Sequence, residues 1–387
     1  MSTLYTSYVR ASVLQGVLIA ILFAGSPPAA SAQCTDHFLD TRDIVLDQSE
    51  QLLGPIQSAT MLPNRQLAVV TGDPGVFLFE EDGTFIRQLG DPGQGPFEYG
   101  NPSIVRAHGE NIAVWDGGQS VQVRGGDVAS GGAGGMKIIV YRTDGAPVDE
   151  FSGITWSVSD FVISDSVVYT YQSGARKPFV RAWDTELREE VDLGMNEEAT
   201  IERVALHMQS GSGTLAHSGD HLLFMDPSVS ALQRYDLASE TADRLAIDDP
   251  AFRLGALNVD GQDGLNADPF AALAFGMESS SSYRTVATDN TILAILKHGR
   301  VTYDPPLVQD GRPNPNAELD TFDRYLHVHR LGDAGEAEAC ERIDIDPEAT
   351  QTDAPIVGPT PQGFLYLEQR MNEGDIDYVL RAFSDSK

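Results

Sequence analysis

The residues of this chain best suited to chemistry are scattered along it. In Tyr325-Leu326-His327-Val328-His329 two histidines stand one residue apart. On a strand both imidazoles would share a face, and neutral imidazole is a common metal ligand. His298 ends the neighbouring apolar run and is the third imidazole that a sheet could bring to the pair. A structural zinc normally takes four ligands, and spacing alone places no carboxylate beside these histidines, so ordinary strand packing competes with a metal site. Asp260-Gly261-Gln262-Asp263-Gly264-Leu265-Asn266-Ala267-Asp268 concentrates oxygen ligands and glycines as calcium loops do, with Asp260, Asp263 and Asp268 as candidate ligands. It lacks the alternating acids, sixth-position Gly and twelfth-position Glu of an EF-hand, and a solvated acidic turn is the plainer account. Neither a G-x-S-x-G elbow nor H-E-x-x-H nor C-x-x-C occurs, so serine or zinc hydrolase chemistry has no motif behind it. The run Gly131-Gly132-Ala133-Gly134-Gly135 lacks the Lys-Ser/Thr of a phosphate loop and reads as a flexible segment.

These residues must be positioned by short strands. Apolar runs recur in pairs: 66–71 with 76–80, 111–115 with 137–142, 166–171 with 179–183, 221–225 with 231–235, 291–296 with 325–330, and 363–368 with 378–383. Acidic turns follow the second run in four units, at Asp82-Gly83, Asp144-Gly145, Asp184-Thr185 and Asp236-Leu237, and introduce a more polar strand. Shorter mixed segments at 57–61, 103–107, 159–163, 213–216, 283–287 and 354–358 supply an innermost strand for each unit. Repeats of roughly 40 to 50 residues with four strands apiece are the sign of a β-propeller. The expected fold is all-β and six-bladed, its last blade completed by the N-terminal strand 42–46, because that blade has no outer strand of its own after Phe383. Three insertions interrupt the repeat: 119–136, 249–282 with a short helix expected at 269–277, and 303–323. The face that bears them is the expected binding surface.

The stretch Gly83 to Val105 carries Gly93-Gln94-Gly95-Pro96-Phe97-Glu98-Tyr99 with Pro102 close behind. It resembles the blade-to-blade crossover of NHL-type six-bladed β-propellers, as found in secreted bacterial proteins. The resemblance implies a mainly structural role for Gly93, Gly95, Pro96, Glu98 and Tyr99: the carboxylate accepts backbone N–H bonds and the ring wedges between blades. It also implies a non-enzymatic binding or scaffold protein that recognises a peptide, glycan or protein. The rival is a calcium-dependent lactonase, esterase or lyase with its ion in the central channel. Calcium takes 6 to 8 oxygen ligands, and Asp160 is the one clear acid beside an inner strand, with Asp353 a marginal second. No other cofactor is suggested. A surface-layer component is a third reading.

Residues 1–32 read as a cleavable signal: Arg10, the apolar run 13–24, then Ala30-Ser31-Ala32 before the cut. Residues 33–387 are then one propeller domain, secreted to the periplasm or beyond, with no later segment apolar enough to span a membrane. Lipidation at Cys34 is disfavoured by Gln33 before it. Ring closure would bring Cys34 toward Cys340 on the fifth blade's outer strand, so a disulfide and two unpaired thiols are the alternatives. With 26 basic and 57 acidic residues the net charge is −31, which excludes nucleic acid as a partner because phosphates must be neutralised to be bound. Lysine is reduced to Lys137, Lys177, Lys297 and Lys387, a composition resembling that of salt-loving organisms, in which a Debye length of about 3 Å at 1 M salt mutes self-repulsion. The melting temperature should therefore climb as NaCl is raised toward molar concentration; one indifferent to salt removes the idea.

Overall fold

Short apolar strands bounded by acidic turns can bury both faces only by stacking sheet on sheet. The computed structural model shows the chain doing so. It describes residues 34–49, 53–72, 75–117, 121–122, 128–129, 136–154, 158–171, 180–191, 193, 215–225, 230–252, 280–287, 291–305, 308–309, 312–313, 318–332, 335–345, 356–372 and 375–386. The propeller body spans Thr35–Lys387.

The chain enters on β1 (Leu39–Val45) and then builds blade 1 from β2 (Ile56–Met61), β3 (Leu67–Thr71), β4 (Gly75–Phe79) and β5 (Phe85–Gln88). Blade 2 is β6 (Pro102–His108), β7 (Asn111–Asp116), β10 (Lys137–Tyr141) and β11 (Pro147–Ser152), with the two-residue strands β8 (Val121–Gln122) and β9 (Val128–Ala129) between its middle pair. Blade 3 is β12 (Asp160–Ser164), β13 (Val167–Tyr171), β14 (Val180–Asp184) and β15 (Glu189–Val191); blade 4 is β16 (Ala216–Ser218), β17 (His221–Met225), β18 (Ala231–Asp236) and β19 (Thr241–Ala246). Blade 5 is β20 (Ser281–Ala287), β21 (Ile292–Asp304), β24 (Glu318–Leu331) and β25 (Ala337–Asp344), with β22 (Val308–Gln309) and β23 (Arg312–Pro313) at the tip of its long hairpin. Blade 6 takes β26 (Ile356–Thr360), β27 (Gly363–Asn372) and β28 (Asp375–Asp385) from the C-terminal end and β1 as its outer strand. The fold is a six-bladed all-β propeller, and the described residues contain no helix.

Local chemistry fixes the turns. Asp82, Asp144, Asp184 and Asp236 each accept a backbone N–H two residues on, from Thr84, Ala146, Glu186 and Ala238, at 2.8–2.9 Å, the Asx turn that launches each outer strand. Six hydrophobic clusters fill the spaces between successive blades. One-residue register shifts interrupt the inner strands β2, β6, β20 and β26, which lets them twist sharply near the axis.

The insertion expected at 303–323 continues the ladder: β21 and β24 pair from Ile292↔Leu331 out to Asp304↔Glu318. Val301, Thr302, Thr321 and Phe322 suit a strand, and their flanking Pro, Asn and Asp masked this in the sequence. Strands alternate in direction, so the hairpins between second and third strands open on the same side as the crossovers between blades. The described strand ends from which the three insertions leave therefore lie on one face. The expected helix at 269–277 lies outside the described residues.

Closure is made by the N-terminal segment. β1 pairs with β28 from Leu39↔Asp385 to Val45↔Val379, and Asp43 bonds Arg381 at 2.8 Å and Arg370 at 3.0 Å across the sheet. The residues before β1 reach blade 5: Thr35 bridges Glu341, Asp36 N–H donates to the Cys340 carbonyl at 3.1 Å, and Phe38 and Leu39 N–H groups donate to Glu341 Oε2 at 2.8 and 2.9 Å. Cys34 and Cys340 are joined in a disulfide. Near the axis, a Cβ at Gly358 of β26 would run into the carbonyl of Ala59 on β2, so blades 6 and 1 meet backbone to backbone. Replacing both cysteines by serine should lower unfolding stability by about 2–4 kcal/mol; urea midpoints equal to the wild type would show that closure owes nothing to the bond.

Candidate functional site

Among the described residues, the polar groupings that bear on function include the axis, the junction of blades 4 and 5, and a cleft between blades 2 and 3. At the axis buried polar groups link blades 6, 1, 2 and 3 to the entry of blade 4. The Ser58 hydroxyl of blade 1 donates to the Val357 carbonyl of blade 6 at 3.3 Å and accepts from the Val105 N–H of blade 2 at 3.2 Å. Arg106 of blade 2 reaches back to Ser58 Oγ at 3.2 Å and forward to Asp160 Oδ1 of blade 3 at 2.7 Å, and its other terminal nitrogen also pairs with Asp160. Asp160 further accepts the Phe161 N–H at 2.9 Å and, from the entry to blade 4, the Leu215 N–H at 3.3 Å. Arg284 of blade 5 stands 4.0 Å from the other Asp160 oxygen. Burial, and then the like charge of Arg106, pull its pKa down to about 10, and among the described residues its Nε finds no partner.

The second place joins sequence-distant residues. His298 lies near the middle of β21; His327 and His329 lie on β24 opposite Leu296 and Ala294, so the alternation of both strands puts the three imidazoles on one face. Leu296 and Ala294 belong to the cluster between blades 4 and 5, which identifies that face as the one turned to blade 4. There Asp249, on the crossover leaving blade 4, receives all three. Its Oδ2 lies 2.9 Å from His327 Nδ1, 3.0 Å from His329 Nε2 and 3.2 Å from His298 Nε2. Burial alone would raise the Asp249 carboxyl, but the bonds to His298, His327 and His329 hold it far below the usual carboxylate range. Burial pushes His298 the other way, lowering its pKa against the pull of Asp249. The other nitrogen of His298, Nδ1, faces Ser280 Oγ at 2.8 Å.

The third place is an open cleft of about 550 Å³, lined by His108, Phe151, Trp183 and Arg188 and by the carboxylates of Asp149, Asp165 and Glu186 among others. It lies on the face opposite the insertions, among the β6–β7, β12–β13 and β14–β15 turns. The crossover residues lie elsewhere. Gly95 N–H donates to Glu98 Oε2 at 2.7 Å, and a Cβ at Gly93 would strike that carboxylate. Tyr99 is wholly buried in the cluster between blades 1 and 2, its hydroxyl accepting from Gln88 at 2.9 Å. Pro96 opens the tight turn that carries Phe97, whose φ is 60°.

Of the acids that the sequence offered to calcium, Asp160 is engaged by Arg106, while Asp260, Asp263, Asp268 and Asp353 lie outside the described residues. Sequence reasoning named the three histidines but not the acid that gathers them. Asp249 begins an insertion, and no local pattern marks it. Arg106 and Arg284 were also missed, although an arginine in the middle of an innermost strand is a readable sign of a charged partner across the axis.

No protein-family model matches the chain, and no curated protein matches it. Solved structures do. A Bacteroides fragilis protein described as a candidate exported protein is 13% identical with a TM-score of 0.55, over 90% of this chain and 98% of its own. A member of the DUF4221 family from Bacteroides vulgatus is 10% identical with a TM-score of 0.54, over 90% and 99%. At such identity the likeness is one of fold, and it agrees with the six-bladed propeller.

The axial geometry separates two substitutions. Asp160→Leu strands two buried guanidiniums and should cost about 3–5 kcal/mol, whereas Arg284→Met removes the cation without a close partner and should be near neutral or stabilising. Chemical denaturation of both variants tests this; equal losses would refute the asymmetry.

Proposed function

We propose that this chain is an exported, non-enzymatic propeller of NHL-like type, its leader removed after Ala32 and residues 33–387 acting as one domain that recognises a peptide, glycan or protein partner. The observation that carries this reading is the axis. A calcium-dependent propeller hydrolase or lyase needs several oxygen ligands converging on an ion. Here the axial carboxylate of Asp160 is already held by Arg106 and two backbone N–H groups, with Arg284 alongside, and two fixed guanidiniums repel a dication in a medium of low dielectric. Fixed positive charge where such an enzyme would hold its metal supports recognition over catalysis. The disulfide supports an oxidising address, and the acidic, lysine-poor composition supports a saline one.

The cleft between blades 2 and 3 narrows the choice of partner. Exposed Asp149, Asp165 and Glu186 stand around the half-buried Trp183, which favours a basic peptide segment through charge complementarity and cation–π contact. Titration calorimetry against basic peptides, acidic peptides and neutral glycans should give heat with the basic set alone, lost in Trp183→Ala. Binding by none of them, or turnover of lactones or esters that EGTA abolishes, would sink the reading.

A further inference from the structure

The junction of blades 4 and 5 adds a carboxylate and three imidazoles to its apolar cluster. His298, His327 and His329 are 2%, 6% and 2% exposed, and the Asp249 side chain is wholly buried.

As a hydrogen-bond cluster the arrangement is overfilled. A carboxylate oxygen offers two lone pairs, yet three ring nitrogens from two strands face the same Asp249 oxygen at 2.9–3.2 Å. As a ligand set it is well spaced. One donor atom from each of Asp249, His298 and His327 lies within 4.8 Å of the others, and a tetrahedral ion with bonds of about 2.0–2.1 Å sets neighbouring donors about 3.3 Å apart. The donors are two imidazole nitrogens and a carboxylate oxygen, which suit zinc and its neighbours; calcium and magnesium take oxygen. The surrounding bonds are those that orient ligands: Ser280 Oγ holds the far nitrogen of His298 at 2.8 Å, and His329 Nε2 holds the Asp249 carboxylate at 3.0 Å.

We infer that Asp249, His298 and His327 bind a zinc-class dication, with His329 and Ser280 as positioning residues that orient the ligands. The ion ties the crossover leaving blade 4 to the two middle strands of blade 5. This site is independent of the cleft and of the partner proposed for it.

The test uses the full mature chain, secreted with its disulfide intact, stripped with EDTA and titrated in turn with Zn²⁺, Co²⁺, Ca²⁺ and Mg²⁺. One equivalent of zinc by elemental analysis, ligand-field bands with cobalt, and a melting temperature raised by zinc but not by calcium or magnesium are expected. His327→Gln and Asp249→Asn should abolish uptake, while His329→Gln should keep the stoichiometry and weaken affinity 10- to 100-fold. Circular dichroism and gel filtration check each variant's fold; if a variant does not fold, the cobalt spectrum and zinc stoichiometry of the wild type decide alone. Absence of uptake by the wild type, uptake unchanged in folded His327→Gln, or uptake only after reduction of the disulfide would each overturn the site.

Discussion

One carboxylate at the axis, that of Asp160, holds the ring to its geometry. It is almost wholly buried, at 1% exposure, and a charge so placed persists only where donors surround it. Those donors come from the neighbouring blades, Arg106 from one side and the Leu215 N–H from the other, with the Arg284 cation 4.0 Å away across the axis. Arg106 in turn leans on Ser58, and Ser58 on the backbone of blade 6. Apolar contacts between blades tolerate small slippage because they have no direction. The axial relay does not, since a shift of an ångström at any blade would leave a buried group unsatisfied. Directional bonds thus fix how the wedges stand, and the six apolar clusters supply most of the burial.

The remaining polar devices act where the ring departs from simple repetition. Blades 5 and 6 are bound by the segment that precedes β1, which bonds to blade 5 through Glu341 and Cys340 before pairing with blade 6 through β28. Blades 4 and 5 are linked by the longest insertion, and Asp249 at its start meets the three histidines of blade 5. Blades 1 and 2 are linked by the Gly93–Tyr99 turn, whose Glu98 and Tyr99 bond and pack within the loop and against blade 2. A uniform ring would need none of these; each sits at a seam with its own connection.

What could be read from the residues follows from how local the cause is. The turns were legible because an Asp that caps its own loop acts over two residues, as Asp82 and Asp144 do. Strand identity and the sharing of the last blade were legible from periodicity and from β1 having no neighbour in sequence. That closure brought the two cysteines near one another, with pairing and free thiols both open. The long hairpin of blade 5 was hidden because the Pro, Asn and Asp of 303–323 read as an insertion between two shorter strands. The sites were the least legible. His327 and His329 announced a shared face, yet Asp249, 78 residues before His327, meets them only because two blades abut. Arg284 and Asp160 meet only because a circle brings opposite strands together.

The pairing of β1 with β28 joins residues almost a whole chain apart, Leu39 with Asp385. During synthesis the early strand therefore emerges long before the only sheet that can accept it. Until the last hairpin is free, its edge and that of the fifth wedge stay open to foreign strands. Such a molecule gains from a chaperone that shields the leading segment until the tail arrives.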